Sequence, residues 1–207
     1  MPTIAATSSK PTAERILDAA EDLFAEKGYS ATSLGDVADR VGIRSPSLYN
    51  HFKNKEALYG AVLDRLLMVF GAPLGELTEG EVTREKVFEW LEIIIRLHHE
   101  RPNLARLLQY AALSGGPQTN ELIERLFKPM FEESGTGSEA LVSALGRDLQ
   151  PWAIMALNNM VMSYVTMAPM YRDLLGQDPF GPEALDKQLN LIMTVAHLVI
   201  DPQRDQP

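Results

Sequence analysis

The segment from Gly42 to Lys55 holds the residues best suited to contact a polyanion. From Arg40 to Lys55 the chain has four basic residues, at positions 40, 44, 53 and 55, and no Asp or Glu. Guanidinium and ammonium groups pair with phosphate, and a helix without carboxylates can approach a nucleic acid without charge repulsion. The residue order predicts a tight turn, a very short helix and a second turn with two lysines, an arrangement suited to reading DNA.

The distribution of charge makes this interpretation compatible with an acidic chain. The 207 residues carry a formal net charge of −9. Residues 1–70 contain 8 Lys/Arg and 9 Asp/Glu, a net of −1, whereas the remainder contains 11 and 19, a net of −8. We therefore expect a local positive face on a nearly neutral N-terminal region, with the acidic remainder held away from DNA.

The composition excludes several classes of function. The chain has no cysteine, which excludes disulfides, zinc–thiolate sites and thiol catalysis. We expect no apolar run of membrane-spanning length, and Met1–Pro11 lacks the charged-then-apolar order of a signal peptide. The predicted protein is cytoplasmic, has no membrane partner, and begins with a flexible arm over residues 1–11.

Helical spacing of apolar residues predicts an all-α protein. In the N-terminal region we expect four helices. The first is capped by Thr12 and ended by Gly28, and the second is capped by Ser33 with Asp36 and ended by Gly42. The third is capped by Ser45 with Pro46 at its first position, and the fourth runs from about Lys55 to Phe70 after the cap Asn54. Later helices are predicted at about 83–99, 102–114, 117–133, 150–173 and 183–200. The loop-like stretch Gly71–Glu81 suggests a boundary between domains at 12–70 and 71–207.

The second and third helices have the residue pattern of a helix-turn-helix. Ala38 is small enough to let a second helix cross closely, and Gly42 supplies the left-handed backbone of the turn. Val37, Leu48 and Phe52 can pack inward. The third helix would then enter the major groove of DNA. The alternative is a structural three-helix unit with a solvated basic face.

From about Thr12 to Leu63 the chain resembles the tetracycline-repressor (TetR)/AcrR-like family of bacterial transcriptional regulators. The resemblance is carried by short elements in a fixed order and spacing: Arg15-Ile16-Leu17-Asp18-Ala19-Ala20, Leu23-Phe24-Ala25-Glu26-Lys27-Gly28-Tyr29, Thr32-Ser33-Leu34, Val37-Ala38, Val41-Gly42-Ile43, Leu48-Tyr49 and Phe52-Lys53-Asn54-Lys55-Glu56-Ala57-Leu58. It implies a bacterial, nucleoid-associated regulator with an N-terminal DNA-binding domain and a C-terminal helical domain for effector binding and dimerisation.

The resemblance also implies roles for single residues. Base contacts are expected from the outward face of the third helix, at Arg44, Pro46, Ser47 and Asn50. Phosphate contacts are expected from Thr32, Ser33, Tyr49, His51, Lys53 and Lys55. Tyr49 has an alternative role as part of the core, and Lys53 has an alternative as a solvated side chain.

The C-terminal part is expected to hold an effector pocket, because residues 150–173 contain five of the nine methionines, interleaved with Trp152, Tyr164 and Tyr171. The effector should be small and hydrophobic or amphipathic. The candidate pocket residues are Trp90, His98, Tyr110, Phe127, Phe131, Met155, Asn158, Asn159 and Met162. An ordinary helical core is the alternative, with His98 and His99 stabilising the end of their helix.

The predicted helices at 150–173 and 183–200 are apolar on more than one face, which favours a partner for each. We expect a two-fold homodimer with a four-helix interface. Its candidate residues are Leu157, Val161, Tyr164, Val165, Leu189, Ile192, Ala196 and Val199. A monomer that buries both helices internally is the alternative.

Together these features predict a homodimeric, ligand-responsive repressor of a palindromic double-stranded operator. An activator and a DNA-binding protein without a ligand remain alternatives. An enzyme is disfavoured: adjacent His98 and His99 point about 100° apart on a helix, and no nucleophile, phosphate-loop or metal-ligand motif accompanies them. We expect no catalytic residue, metal or cofactor.

Overall fold

The computed structural model describes residues 10–80, 82–115, 117–129 and 149–200, and every regular element in these ranges is a helix. The all-α prediction is confirmed. The chain divides into two compact units, residues 1–64 and 65–207, so the boundary lies six residues before the predicted one. In chain order the described helices are α1 (Thr12–Ala31), α2 (Leu34–Val41), α3 (Ser45–Tyr49), α4 (Lys55–Thr78), α5 (Arg84–Glu100), α6 (Pro102–Ser114), α7 (Pro117–Leu122, continued by a π-helical turn Ile123–Phe127), α8 (Gln150–Leu175) and α9 (Pro182–Ile200).

The first unit is built around one apolar core. Its fully buried side chains include Ile16, Ala20 and Phe24 of α1, Val37 and Ala38 of α2, Leu48 of α3, and Leu58 and Val62 of α4. Between α2 and α3, Gly42 adopts φ 74° and ψ 36°, and the Ile43 N–H donates to the Ala38 carbonyl at 3.0 Å. A side chain at position 42 would be strained in this left-handed conformation, so the predicted role of Gly42 in ending α2 is confirmed.

Two of the four predicted caps are present and two are not. The Ser33 hydroxyl accepts from the Asp36 N–H, and the Asn54 side chain accepts from the Ala57 N–H at 2.8 Å. Thr12 and Ser45 are instead the first residues of their helices, because Pro11 and Arg44 occupy the cap positions, neither with a side-chain cap. The cap predictions for Thr12 and Ser45 are therefore wrong by one residue.

The prediction of a loop over Gly71–Glu81 is also wrong, because α4 continues to Thr78. Gly71, Pro73 and Gly75 are poor helix formers, but Phe70 and Leu74 are buried in the second unit. Burial of an apolar face outweighs low intrinsic propensity in many tertiary contexts.

By length and composition alone, α4 is the one helix in the described part of the chain that could cross a membrane, contrary to the expectation that no such run exists. Its side chains Leu58, Val62 and Leu66 are fully buried against protein. Such burial is typical of a core helix within a folded domain.

The second unit packs α5 against α6, α8 and α9, and α8 against α6 and α9. Its buried core includes Ile95 of α5, Leu104 and Leu107 of α6, Val165 of α8 and Ile192 of α9. The five helices predicted in this region are confirmed to within two residues where they are described. The last part of the predicted helix 117–133 lies outside the described residues.

Candidate functional site

The short helix α3 presents its polar side chains outward from a single buried anchor. Leu48 is fully buried, whereas Arg44, Pro46 and Asn50 are exposed and Ser47 is half-buried. The backbone N–H groups of Ser47 and Leu48 donate to the Arg44 carbonyl, which fixes the start of the helix. The four predicted base-contacting residues therefore lie on one five-residue helix and its two flanking positions.

Three predicted phosphate-contacting residues lie beside this helix and are also exposed. Tyr49 is 54% exposed, and His51 and Lys53 are exposed in the turn that follows α3. Tyr49 is thus not a core residue. The exposed hydroxyl, imidazole and ammonium groups can reach the sugar-phosphate backbone of a DNA strand that runs past the end of α3.

The start of α2 is shaped by a reciprocal capping box. The Asp36 N–H donates to Ser33 Oγ at 3.1 Å, and the Ser33 N–H donates to Asp36 Oδ2 at 2.9 Å. Hydrogen bonds donated to the Asp36 carboxyl, first by the Ser33 backbone N–H and then by its side chain, lower the pKa of that carboxyl, with a smaller contribution from the charge of Lys27. A hydroxyl rotates to suit its partners, so the Ser33 O–H can turn from the Asp36 carboxylate and donate to a phosphate at the helix N-terminus.

Thr32 does not present its hydroxyl to DNA. Its side chain is only 2% exposed, and Oγ1 lies 3.1 Å from the Leu23 carbonyl oxygen and 2.9 Å from that of Gly28. The hydroxyl therefore holds the α1–α2 turn together. The predicted phosphate contact from this side chain is wrong, because burial at a helix end cannot be distinguished from exposure by sequence position alone.

Lys55 is likewise engaged within the first unit. Its Nζ lies 2.9 Å from the carbonyl oxygen of Tyr29, 3.0 Å from that of Thr32 and 3.4 Å from that of Ser30. The ammonium also sits 4.4 Å from the centroid of the Tyr29 ring. An ammonium has three donors, so this arrangement leaves none for a phosphate. In this geometry Lys55 is directed to backbone carbonyls, so the phosphate contact stays a prediction that requires the ammonium to leave them.

Arg15 is a positioning residue that sequence reasoning missed. Its Nη2 donates to the Val41 carbonyl at 2.7 Å. This bond gives a partner to a carbonyl in the last turn of α2, immediately before Gly42. The partner lies 26 residues away along the chain, so no local spacing could reveal the bond. Arg15 thus ties α1 to the end of the helix that precedes α3.

The predicted effector residues do not form one site. Trp90 and Asn158 share a cavity of about 60 Å³ between α5, α8 and α9. Tyr110, Met155 and Asn159 are exposed, Phe127 is half-buried, and Phe131 lies outside the described residues. The cavity is lined by Val87, Trp90, Leu91, Ile94, Ala153, Ile154, Leu157, Asn158, Val161 and Ile200.

Two other predicted pocket residues, His98 and Met162, meet in the core instead. His98 Nδ1 donates to the Ile94 carbonyl at 2.7 Å, and Nε2 lies 3.0 Å from Met162 Sδ. Burial lowers the pKa of His98 to about 4, so the imidazole is neutral at physiological pH. The neighbouring His99 bonds to Gln188 and stacks on Tyr164, with ring centroids 5.3 Å apart. Neither histidine stabilises the end of α5 from the surface.

Most of the predicted dimer residues are buried inside the protomer. Val161, Val165, Leu189, Ile192 and Ala196 are at most 9% exposed, and Leu157 lines the internal cavity. The Tyr164 hydroxyl donates to the Pro179 carbonyl at 2.7 Å, and Val199 is half-buried. This stripe of α8 and α9 therefore faces the protomer core, which corrects the prediction for these faces. The spacing of apolar residues could not show which face of each helix is buried in the protomer, because α8 and α9 are each apolar on two faces.

The outward faces of α8 and α9 carry a second apolar set. It consists of Trp152, Met155, Met167, Met170, Leu174 and Leu175 on α8 and of Leu191 and Leu198 on α9, all exposed. A groove of about 380 Å³ runs beside it. The groove is lined by Met160, Ser163, Tyr164, Tyr171, Leu175, Gln177, Asp178, Pro179, Ala184, Lys187, Gln188, Leu191 and Ile192.

An outward-facing α3, held by the α2–α3 turn in an acid-free segment, defines a helix-turn-helix DNA-binding protein. The family model described as bacterial regulatory proteins, tetR family, matches residues 16–62. The HTH-type transcriptional repressor Rv3405c of Mycobacterium tuberculosis is 32% identical over 184 residues, which cover 89% of this chain and 88% of that protein. The chain belongs to the TetR family of bacterial transcriptional regulators, and it is not an enzyme.

Other relatives agree over less of the sequence or in fold alone. The HTH-type transcriptional regulator RutR of Escherichia coli is 30% identical over 128 residues, so the chain spans only 59% of the length of that relative. The ketosteroid transcriptional regulator KstR2 of M. tuberculosis superposes with a TM-score of 0.72 at 19% identity, covering 97% of this chain and 98% of that chain. A TetR-family regulator from Bordetella parapertussis gives a TM-score of 0.71 at 18% identity, covering 96% of this chain and 98% of that chain. These two likenesses show the fold.

Proposed function

We propose that this regulator is a homodimeric, ligand-responsive repressor that acts in the cytoplasm on a pseudo-palindromic operator. The observation that carries the DNA-binding part is the exposure of Arg44, Pro46 and Asn50 around the buried anchor Leu48. A bidentate guanidinium suits guanine and a bidentate amide suits adenine in the major groove. Two such helices in a dimer would read half-sites about one helical turn apart, or somewhat more.

The dimer is proposed to form through the outward faces of α8 and α9. Leu191 and Leu198 lie seven residues apart on α9, and they are 61% and 55% exposed. Met167, Met170 and Leu174 continue an exposed apolar stripe along α8. Contiguous exposed apolar surface of this kind marks a contact with another protein, and a second copy of the chain would pair each stripe with itself around a two-fold axis.

The ligand response is proposed to start from the cavity between α5, α8 and α9. Its walls are apolar except at Trp90 and Asn158, which is the composition of a site for a small, largely apolar effector. Because α8 and α9 also carry the proposed interface, an effector that repacks them can change how two subunits are arranged. Release of the operator requires the effector to bind the released arrangement more tightly than the DNA-bound one.

The proposal is tested by selecting binding sites for the purified protein from a pool of random DNA duplexes. We expect an enriched inverted repeat, which is then used in a fluorescence-anisotropy titration at fixed salt concentration. A single asymmetric site, or no enrichment, would contradict the palindromic operator. A thermal-shift screen of small neutral compounds follows, and each stabilising compound is titrated against the operator complex. Stabilising compounds that never change operator affinity would contradict the ligand response.

A further inference from the structure

The indole nitrogen of Trp90 is a buried donor that has no acceptor within the part of the chain that the structure describes. Nε1 is shielded from solvent and has no hydrogen-bond partner among the described residues. Most buried N–H groups in folded proteins are paired, because an unpaired donor loses its hydrogen bond to water without replacement. The same residue lines the cavity of about 60 Å³. A ligand in this cavity that carries an acceptor can supply the missing partner.

The lining of the cavity restricts the charge of that ligand. Apart from Trp90 and Asn158, the lining residues are Val, Leu, Ile and Ala, and none of them is Lys, Arg, His, Asp or Glu. A carboxylate or ammonium buried here would find no counter-ion among the described lining residues, which makes its transfer from water costly. The acceptor should therefore belong to a neutral group, such as the oxygen of a ketone, an aldehyde or an ether.

The volume restricts the size of the group that enters. An apolar cavity of about 150 Å³ accepts benzene, so by proportion a cavity of about 60 Å³ accommodates roughly two to three non-hydrogen atoms, which is the size of the carbonyl or ether end of a ligand. We propose that Trp90 is the recognition donor of a site for small neutral carbonyl or ether compounds, or for the corresponding end of a larger ligand. This inference rests on the proposed ligand response, and it deepens that response by naming the ligand chemistry.

The tryptophan content of the chain offers a direct measurement. There are two tryptophans, and the second one, Trp152, is 67% exposed on α8. Trp152→Phe therefore leaves Trp90 as the only indole, with a single indole N–H resonance in a ¹⁵N–¹H spectrum. The shift of that resonance reports whether Nε1 donates a hydrogen bond to the added compound.

The probes are 2-butanone and 2-methyl-1-butene, which have similar shapes but differ in that only the ketone has an acceptor. In the full-length Trp152→Phe protein, 2-butanone should move the Trp90 resonance downfield in a saturable way and bind at least about threefold more tightly than the alkene. In ligand-observed titrations, Trp90→Phe should weaken 2-butanone at least about threefold and leave the alkene unchanged, whereas Trp152→Phe should affect neither probe. Equal affinities for the two probes, full retention of ketone binding in Trp90→Phe, or binding of neither probe would overturn the proposal.

Operator affinity is measured separately with and without 2-butanone. If the ketone binds as expected but does not change operator affinity, the ligand chemistry stands and the proposed ligand response fails. If operator affinity responds to other compounds while the Trp90 resonance is insensitive to the ketone, the ligand response stands and the Trp90 site fails.

Discussion

Lys55 Nζ lies 3.0 Å from the carbonyl oxygen of Thr32, the residue immediately before the cap of α2. The same ammonium bonds to the carbonyl of Tyr29 at the end of α1. Lys55 thus connects the start of α4 to the turn that presents Ser33. In this arrangement its positive charge stabilises backbone carbonyls at a helix end, where a cation is favoured.

Substitution of Lys55 should weaken DNA binding without changing its dependence on salt. Each phosphate contact that is lost lowers the slope of log affinity against log salt by about 0.9, and Lys55 makes no such contact in this geometry. Lys55→Gln should therefore keep the wild-type slope and lower the free energy of unfolding by roughly 1–2 kcal/mol. Affinity at several salt concentrations and urea unfolding measure the two effects.

Lys53 provides the matched control, because it is exposed and lies two residues away. Lys53→Gln should lower the salt slope by about 0.9 if it contacts a phosphate, with little change in stability. A reduced slope in Lys55→Gln would show that its ammonium leaves the three carbonyls to bind DNA.

Arg44 and Asn50 should determine which bases are preferred. Their guanidinium and amide groups can each make two hydrogen bonds to one base edge, worth about 1–3 kcal/mol of discrimination. Arg44→Ala and Asn50→Ala should each weaken the preferred operator by that amount and relax the preference at one position per half-site, as measured by repeated duplex selection. His51→Ala, as the phosphate-contact control, should weaken all sequences to a similar extent. Unaltered base preferences in both α3 variants would exclude direct readout by these residues.

In the DNA-binding unit, hydrogen bonds between residues close in sequence could be predicted from the sequence, whereas those between residues far apart in sequence could not. Ser33 with Asp36, and Asn54 with Ala57, were identifiable because both partners lie three residues apart. The bonds made by Lys55 and Arg15 join residues more than 20 apart, so only the folded chain reveals them. In the second unit, α8 is apolar on two faces. This pattern predicted that each face has a packing partner, but it did not show which face points into the protomer core.

Protonation of His98 should destabilise the protein as the pH falls. Burial lowers its pKa from 6.5 to about 4 in the folded chain, whereas the unfolded chain titrates near 6.5. The unfolded state therefore binds more protons between these values, so the stabilisation is complete above about pH 6.5 and is lost as the pH falls towards 4. At pH 5.5 the loss attributable to His98 is roughly 1.4 kcal/mol.

Urea unfolding at pH 7.5 and pH 5.5 measures this loss in wild type and in His98→Gln. The difference between the two pH values should shrink by about 1.4 kcal/mol in the variant. His99→Gln should shrink it to some extent as well, because burial also lowers the pKa of His99. His51→Gln is the matched histidine-to-glutamine control at an exposed position. The same pH dependence in His98→Gln as in wild type would contradict a neutral, buried His98.

The outward face of α9 should control dimerisation. Leu191→Asp and Leu198→Asp each place a carboxylate in the proposed interface, where it would be desolvated beside the same substitution in the second copy. Each variant should sediment as a monomer at micromolar concentration while its circular-dichroism spectrum remains that of a helical protein. The monomer should also lose most of its operator affinity, because one half-site supplies far less binding free energy than two linked half-sites. Leu113→Asp is the control, since Leu113 is 84% exposed on α6, outside the proposed interface, and this variant should remain dimeric. If Leu191→Asp and Leu198→Asp both remain dimeric, the two-fold contact must lie on another surface of the second unit.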